Sequence, residues 1–313
     1  MKTLMYHYVR PLPDPHFPDM RSRSVDEFAE QVEMVRASGE HVWTMEELLD
    51  LSERGEAVPD HGWLFTFDDG LRDHLDYAAP VLEASGFTGA FFPSGFPVRE
   101  QRSLRSQKIQ MILACGAPPQ EVLDRTVAFL AEQLDADALH TWLARADELA
   151  NFRLNDAVTA RAKFMLQNAL PQADMDAFLD GLLEAVGTLR DPDLFADLYL
   201  TPDAVVELGR RGHFVGTHGM HHVRYGLMTD EEALADVRES LTVLGPVGVD
   251  TGRTAIIYPY GSEPPAGARA AFRDLGVLAG FTIVPRDATP SDDWHLIPRW
   301  DTNDFPPTPR YGR

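Results

Sequence analysis

Cysteine is almost missing from this chain: Cys115 stands alone, which excludes an intrachain disulfide and any cysteine-based metal cluster. Long apolar runs are missing too. No stretch approaches the roughly 18 consecutive apolar residues that a membrane-spanning helix needs, and Met1 to His7 lacks the apolar run of a signal peptide. A cytoplasmic protein with no membrane partner is the expectation. Basic residues are in the minority, 28 against 49 acidic ones, and the formal charge of −21 repels phosphate backbones, which argues against nucleic acid as a partner. Blocks of like charge, internal repeats and low-complexity tracts are also lacking, so the acidity reads as a solvated surface.

What is present is enough apolar material for a large core: 44% of 313 residues are hydrophobic. Thr3 to Tyr8 is rich in strand formers and stops at a proline-rich loop, Pro11 to Pro18. Ser24 with Glu27, Thr44 with Glu47 and Thr229 with Glu232 have capping-box spacing ahead of apolar residues at helical intervals, which predicts helices to about Ala37, beyond Leu51 and to Leu244. Trp63 to Phe67 is a continuous apolar run, as expected of a strand buried on both faces. Leu71 to Ser85 then predicts a helix kinked by Pro80, and Thr88 to Phe92 a strand, completing a βαβ unit.

From about Arg99 to Ala196 the chain turns to alanine, leucine and acidic residues at helical spacing, predicting an insertion of four or five helices over residues 99–199. A helix from Pro202, strands at Phe214 to Gly216, Thr254 to Tyr258 and Val277 to Ile283, and a helix from Pro264 to Leu275 follow, with a loop from Pro306 to Arg313. The alternation over residues 1–98 and 200–313 argues for an α/β barrel or a distorted version of one. Apolar stripes on the inserted helices call for burial, against the barrel or against a second copy in a homodimer; a lid over the substrate is the sharper alternative.

In parallel α/β folds reactive groups collect at the carboxyl ends of the strands. His7, the pair Asp68-Asp69, His218 with His222, and Pro259-Tyr260-Gly261 all fall at such ends. Two adjacent carboxylates are costly to desolvate together unless a cation intervenes. Two imidazoles and one carboxylate make a three-ligand site with a position left for water, a set that suits zinc, with cobalt, nickel or iron as substitutes. His218 and His221, three apart, would serve as well as His218 and His222 on geometry alone.

Thr66-Phe67-Asp68-Asp69-Gly70, Thr217-His218-Gly219-Met220-His221-His222 and Tyr258-Pro259-Tyr260-Gly261 resemble the three signatures of the polysaccharide deacetylase, or NodB-homology, family. The likeness spans about residues 3–95 and 200–300. It implies a distorted barrel of seven strands that hydrolyses an acetamide, usually the N-acetyl group of an amino sugar, with Asp69, His218 and His222 on a divalent metal and Asp68 as catalytic base. The Tyr260 N–H is the expected oxyanion donor, and His7, by likeness to a circularly permuted subgroup, the expected general acid. Related C–N hydrolases and esterases share the fold, and a non-catalytic glycan-binding barrel is the remaining alternative.

Two departures stand out. Ile257 occupies the position, two before Pro259, where the family often has an arginine that holds the catalytic aspartate; Arg299 is a candidate substitute, with Asp301 as a possible partner. Gly219 replaces the usual serine or threonine, which removes a hydroxyl from around the ligands and predicts weaker metal affinity.

Overall fold

The computed structural model describes residues 1–20, 22–149, 156–169, 172–187 and 189–306. Two compact units emerge, one of residues 1–11, 22–101 and 197–306, the other of residues 12–20 and 102–196.

The first unit is a seven-stranded barrel with two weak seams. Its strands are β1 (Lys2–Tyr6), β2 (Trp63–Asp69), β3 (Ala90–Pro93), β4 (Phe214–Val215), β5 (Thr254–Ile257), β6 (Val277–Phe281) and β7 (Trp300–Asp301). Five form a parallel sheet in the order β4-β3-β2-β1-β7, and β5 with β6 forms a second. Single parallel bridges, Thr217 to Ile256 and Phe281 to Ile297, close the circle. Alternate residues face inward: Leu64, Ala90, Phe92, Phe214, Ala255, Ile257, Ala279, Phe281 and Ile297 share one buried cluster, as the period of two requires.

The helices begin where local chemistry says they should. Ser24, Thr44 and Thr229 each cap their helix with a complete capping box, over Val25–Ser38, Met45–Glu53 and Asp230–Leu244. The helix expected over Leu71 to Ser85 starts late. Leu71 is drawn into an antiparallel bridge with Tyr199, His74–Ala78 is a π-helical turn, and α-helix runs only over Ala79–Ala84. Pro80 sits in the first turn of that segment, where its missing N–H breaks nothing, and the wider π turn upstream absorbs the irregularity. The two-residue strand β7 has no pattern long enough to be read in the sequence.

The second unit is all helical: Arg105–Ala114, Pro119–Gln133, Ala136–Leu149, Ala157–Asn168, Gln172–Gly187 and Asp191–Leu198, the last crossing back into the first unit. That makes six helices among the described residues, more than the four or five expected, because short breaks at Leu134-Asp135 and just before Asp191 divide the helical pattern. Phe129 and Phe178 stack with ring centroids 4.1 Å apart, and buried Lys108 is paired with Asp180 at 2.5 Å and Asp191 at 3.3 Å. Among the described residues no helix is long and apolar enough to cross a membrane. The terminal loop expected from Pro306 onward lies, beyond Pro306, outside the described residues.

Candidate active site

Strand β2 delivers both aspartates. Asp68 falls on the inward column of Leu64 and Thr66, and Asp69, at φ 74°, then turns the chain off the strand. Gly70 follows at φ 69° against Pro93, so closely that a Cβ would lie 2.6 Å from the proline Cβ, which is why glycine must come next.

Buried Asp68 is gripped by the fully buried Arg299 through two parallel bonds, Nη1 to Oδ1 at 2.6 Å and Nη2 to Oδ2 at 2.8 Å. The same guanidinium donates to Thr66 Oγ1 at 3.1 Å and to the Thr282 carbonyl at 2.9 Å, so its fork is fixed in one orientation. Burial alone would push the Asp68 carboxyl up, but the Arg299 charge more than offsets it and holds the group below the usual range. Asp301 is not the partner of Arg299; its carboxylate accepts from the Asn303 backbone and side chain at 2.9 and 2.8 Å.

His218 and His222 approach Asp69 from the loop after β4. Their Nε2 atoms lie 3.5 and 3.3 Å from Asp69 Oδ1, and one ligand atom from each of the three residues falls within 4.8 Å of the others. His218 Nδ1 donates to the Ile257 carbonyl at 2.8 Å, which leaves Nε2 with its lone pair toward Asp69. Burial pushes His222 down, toward the neutral form that ligates. Asp69 Oδ1 is buried with no hydrogen-bond partner, an arrangement that fits a divalent cation accepting that oxygen and two imidazoles.

His221 belongs elsewhere. Its Nδ1 lies 3.0 Å from Asp236 Oδ1, and buried Asp236 also accepts from the backbone of Met220 (2.9 Å) and His221 (3.2 Å) and from Tyr225 Oη (2.7 Å). One carboxylate thus pins the loop between His218 and His222. It also explains Gly219: at φ 75°, a Cβ there would overlap Tyr225 Oη and lie 2.8 Å from Asp236 Oδ2. The space of the missing hydroxyl is filled by Tyr225, so the loop keeps its support by another route.

His7 Nε2 stands 3.9 Å from Asp68 Oδ2, with the imidazole 38% exposed. Its backbone carbonyl accepts from Nε2 of fully buried His74 at 3.0 Å. Across the site the Tyr260 ring lies edge-on to His222, centroids 4.7 Å apart. Of the four non-glycine residues at positive φ among those described, Asp69, His222 and Tyr260 are three, each at a cost of about 1 to 3 kcal/mol that the surroundings must hold in place.

Asp236, His74 and the buried Arg10–Asp73 pair, at 2.8 Å, escape the sequence reading. Asp236 did leave a trace, an acid within the buried stripe of Ala233, Val237, Ser240 and Leu244 on its helix.

No curated protein sequence matches the chain. A family model described as polysaccharide deacetylase matches residues 164–280. Among solved structures, the Streptococcus pyogenes deacetylase PplD in complex with acetate superposes with TM-score 0.57 at 13% identity, covering 96% of this chain and 91% of that one. A de-N-acetylase from Aggregatibacter actinomycetemcomitans gives 0.53 at 14%, with 96% and 93% covered. IcaB from Ammonifex degensii gives 0.54 at 17%, with 96% and 90% covered. At such identities the likeness is one of fold. That fold, and the match over residues 164–280, are what the chain shares with the polysaccharide deacetylase family.

Proposed function

We propose that this barrel is a metal-dependent de-N-acetylase that hydrolyses the acetamide of an amino sugar to acetate and a free amine. The observation that carries the reading is the convergence of Asp69, His218 and His222 within 4.8 Å, beside an Asp68 that is committed to Arg299. Asp69, His218 and His222 would hold the cation, zinc by preference, with cobalt, nickel or iron as substitutes. When bound, such an ion lowers the pKa of a coordinated water from about 15.7 toward 7 and polarises an acyl oxygen.

The chain's own groups divide the remaining work. Asp68, kept ionised by Arg299 and unavailable as a ligand in that orientation, takes the proton of the attacking water as the C–O bond forms. The Tyr260 N–H serves as donor to the acyl oxygen as charge develops, a contact of a kind whose loss costs about 100- to 1,000-fold in rate. His7, partly exposed and 3.9 Å from Asp68, gives a proton to the sugar nitrogen as the C–N bond breaks. Asp236 and His74 act through others, holding the histidine loop and the His7 backbone.

The test is acetate release from N-acetylated amino sugars by purified protein, with metal content measured on the same sample. Turnover that requires one equivalent of cation and vanishes on chelation is expected. Acetate release that survives both chelation and Asp68→Ala would reject the reading.

A further inference from the structure

Three short loops around Tyr260 touch one another. The Gly226 N–H donates to Ser262 Oγ at 2.9 Å, and Gly261 packs so tightly on Ile283 that a Cβ would overlap its side chain. Of the five large apolar side chains exposed among the described residues, Leu227, Ile283 and Val284 stand on these loops. The rim is therefore apolar.

One charge is set into it. The Arg224 guanidinium lies over the Tyr260 ring, 4.2 Å from its centroid, and that ring in turn abuts His222. Some of the other arginines on this acid-rich surface are absorbed by carboxylates: Arg253 is held by Glu46, Asp50 and Glu53, and Arg211 by Glu83 at 2.6 Å, whereas exposed Arg238, among the described residues, is not. Arg224 is exposed and, among the described residues, has no carboxylate within ion-pair distance; the nearby Glu263 is turned to Arg269, 3.9 Å away. Without a carboxylate on it, the guanidinium keeps N–H donors for a ligand, and such a fork takes an oxyanion through two bonds.

We propose that Arg224, seated on Tyr260, is a specificity-determining residue that binds an oxyanion on the substrate, so that this enzyme acts on an amino sugar carrying a phosphate or carboxylate on, or next to, the acetamido ring. The proposal rests on the deacetylase reading and narrows it to anionic sugars. In a chain of net charge −21, such a substrate is repelled at long range and needs a dedicated cation at the mouth.

The experiment compares kcat/KM for phosphorylated N-acetylglucosamine, for N-acetylmuramic acid and for neutral N-acetylglucosamine and its short oligomers. In the wild type the anionic-to-neutral ratio should exceed one by about tenfold to a hundredfold, the usual worth of a charge-assisted contact. Arg224→Ala should bring it close to one, and Arg224→Lys should restore part. Arg210→Ala, which removes a like charge from the helix entering β4 at its amino end, should leave it unchanged. The two anionic arms show whether phosphate or carboxylate is the partner. A wild-type ratio at or below one, or a ratio that Arg224→Ala does not move, overturns the proposal while leaving the deacetylase reading intact. If no sugar is deacetylated, that reading fails, and calorimetric binding of glucosamine 6-phosphate against glucosamine still decides the role of Arg224: tighter binding of the phosphate that disappears in Arg224→Ala supports it, and equal affinities overturn it.

Discussion

Arg299 meets Asp68 across 231 residues of chain through two parallel hydrogen bonds, both side chains buried. The contact is possible because β7 pairs with β1, which itself pairs with β2, bringing the end of the barrel back beside its second strand. Removing the guanidinium would leave a carboxylate buried without its partner. Arg299→Met should lower stability by about 3 to 5 kcal/mol in urea unfolding. Arg299→Lys should recover some stability and little activity, since a point charge cannot reproduce the fork.

Asp68 and its neighbour Asp69 should separate cleanly. Asp68→Asn is expected to retain stoichiometric metal while acetate release falls by about 100- to 10,000-fold, the range for loss of a general base. Asp69→Asn should lose the metal itself. Metal content of the two purified variants is the check, and equal metal loss in both would mean the roles are misassigned.

If His7 protonates the leaving group, as proposed, its importance should track how badly that group needs a proton. For an acetamide, His7→Gln should cost about 100-fold or more. For an activated aryl acetate, whose phenolate leaves unaided, the penalty should nearly disappear. A uniform loss on both substrates would point to a positioning role instead.

The three capping boxes were legible because each is settled within four residues, and the apolar run before Asp68 because a strand buried on both faces needs nothing else. The Arg299–Asp68 pair was half legible: the sequence offers Arg299 but sets Asp301 beside it, since only strand order brings Asp68 within reach. The choice of His222 over His221 was beyond periodicity. It depends on Asp236, 15 residues away from His221, drawing that imidazole off the site. Nor could spacing reveal that Asp69, His222 and Tyr260 adopt positive φ, a conformation imposed by tertiary contacts against local preference.

Restoring the family's usual hydroxyl should harm this protein. Gly219→Ser places a Cβ at a left-handed position already filled by Tyr225 and Asp236, and a loss of about 1 to 3 kcal/mol in unfolding free energy is expected. Adding Tyr225→Phe should return part of it. Calorimetry of the single and double variants measures both.

Burial lowers the His74 imidazole to about 4, against about 6.5 in an unfolded chain. Between these values the unfolded state binds a proton that the folded state refuses, so stability is fully present above about pH 6.5 and is lost as pH falls toward 4. The contribution is on the order of 3 kcal/mol. His74→Gln should flatten the stability profile across that window in urea titrations. His213 and His295, also lowered by burial, will keep some slope in the variant.

His218 is fastened twice: its backbone N–H donates to the Pro93 carbonyl of β3 at 2.9 Å, and its imidazole to the Ile257 carbonyl of β5 at 2.8 Å. On the β5 side of β4 the wall is otherwise stitched, among the described residues, by little more than Thr217, which bonds Ala255 and Ile257 at 3.1 and 3.0 Å. The residue is therefore a rivet as well as a proposed ligand. Any substitution there will slacken the staves along with the chemistry, so a dead His218 variant reports on catalysis only when its unfolding midpoint is known beside its rate.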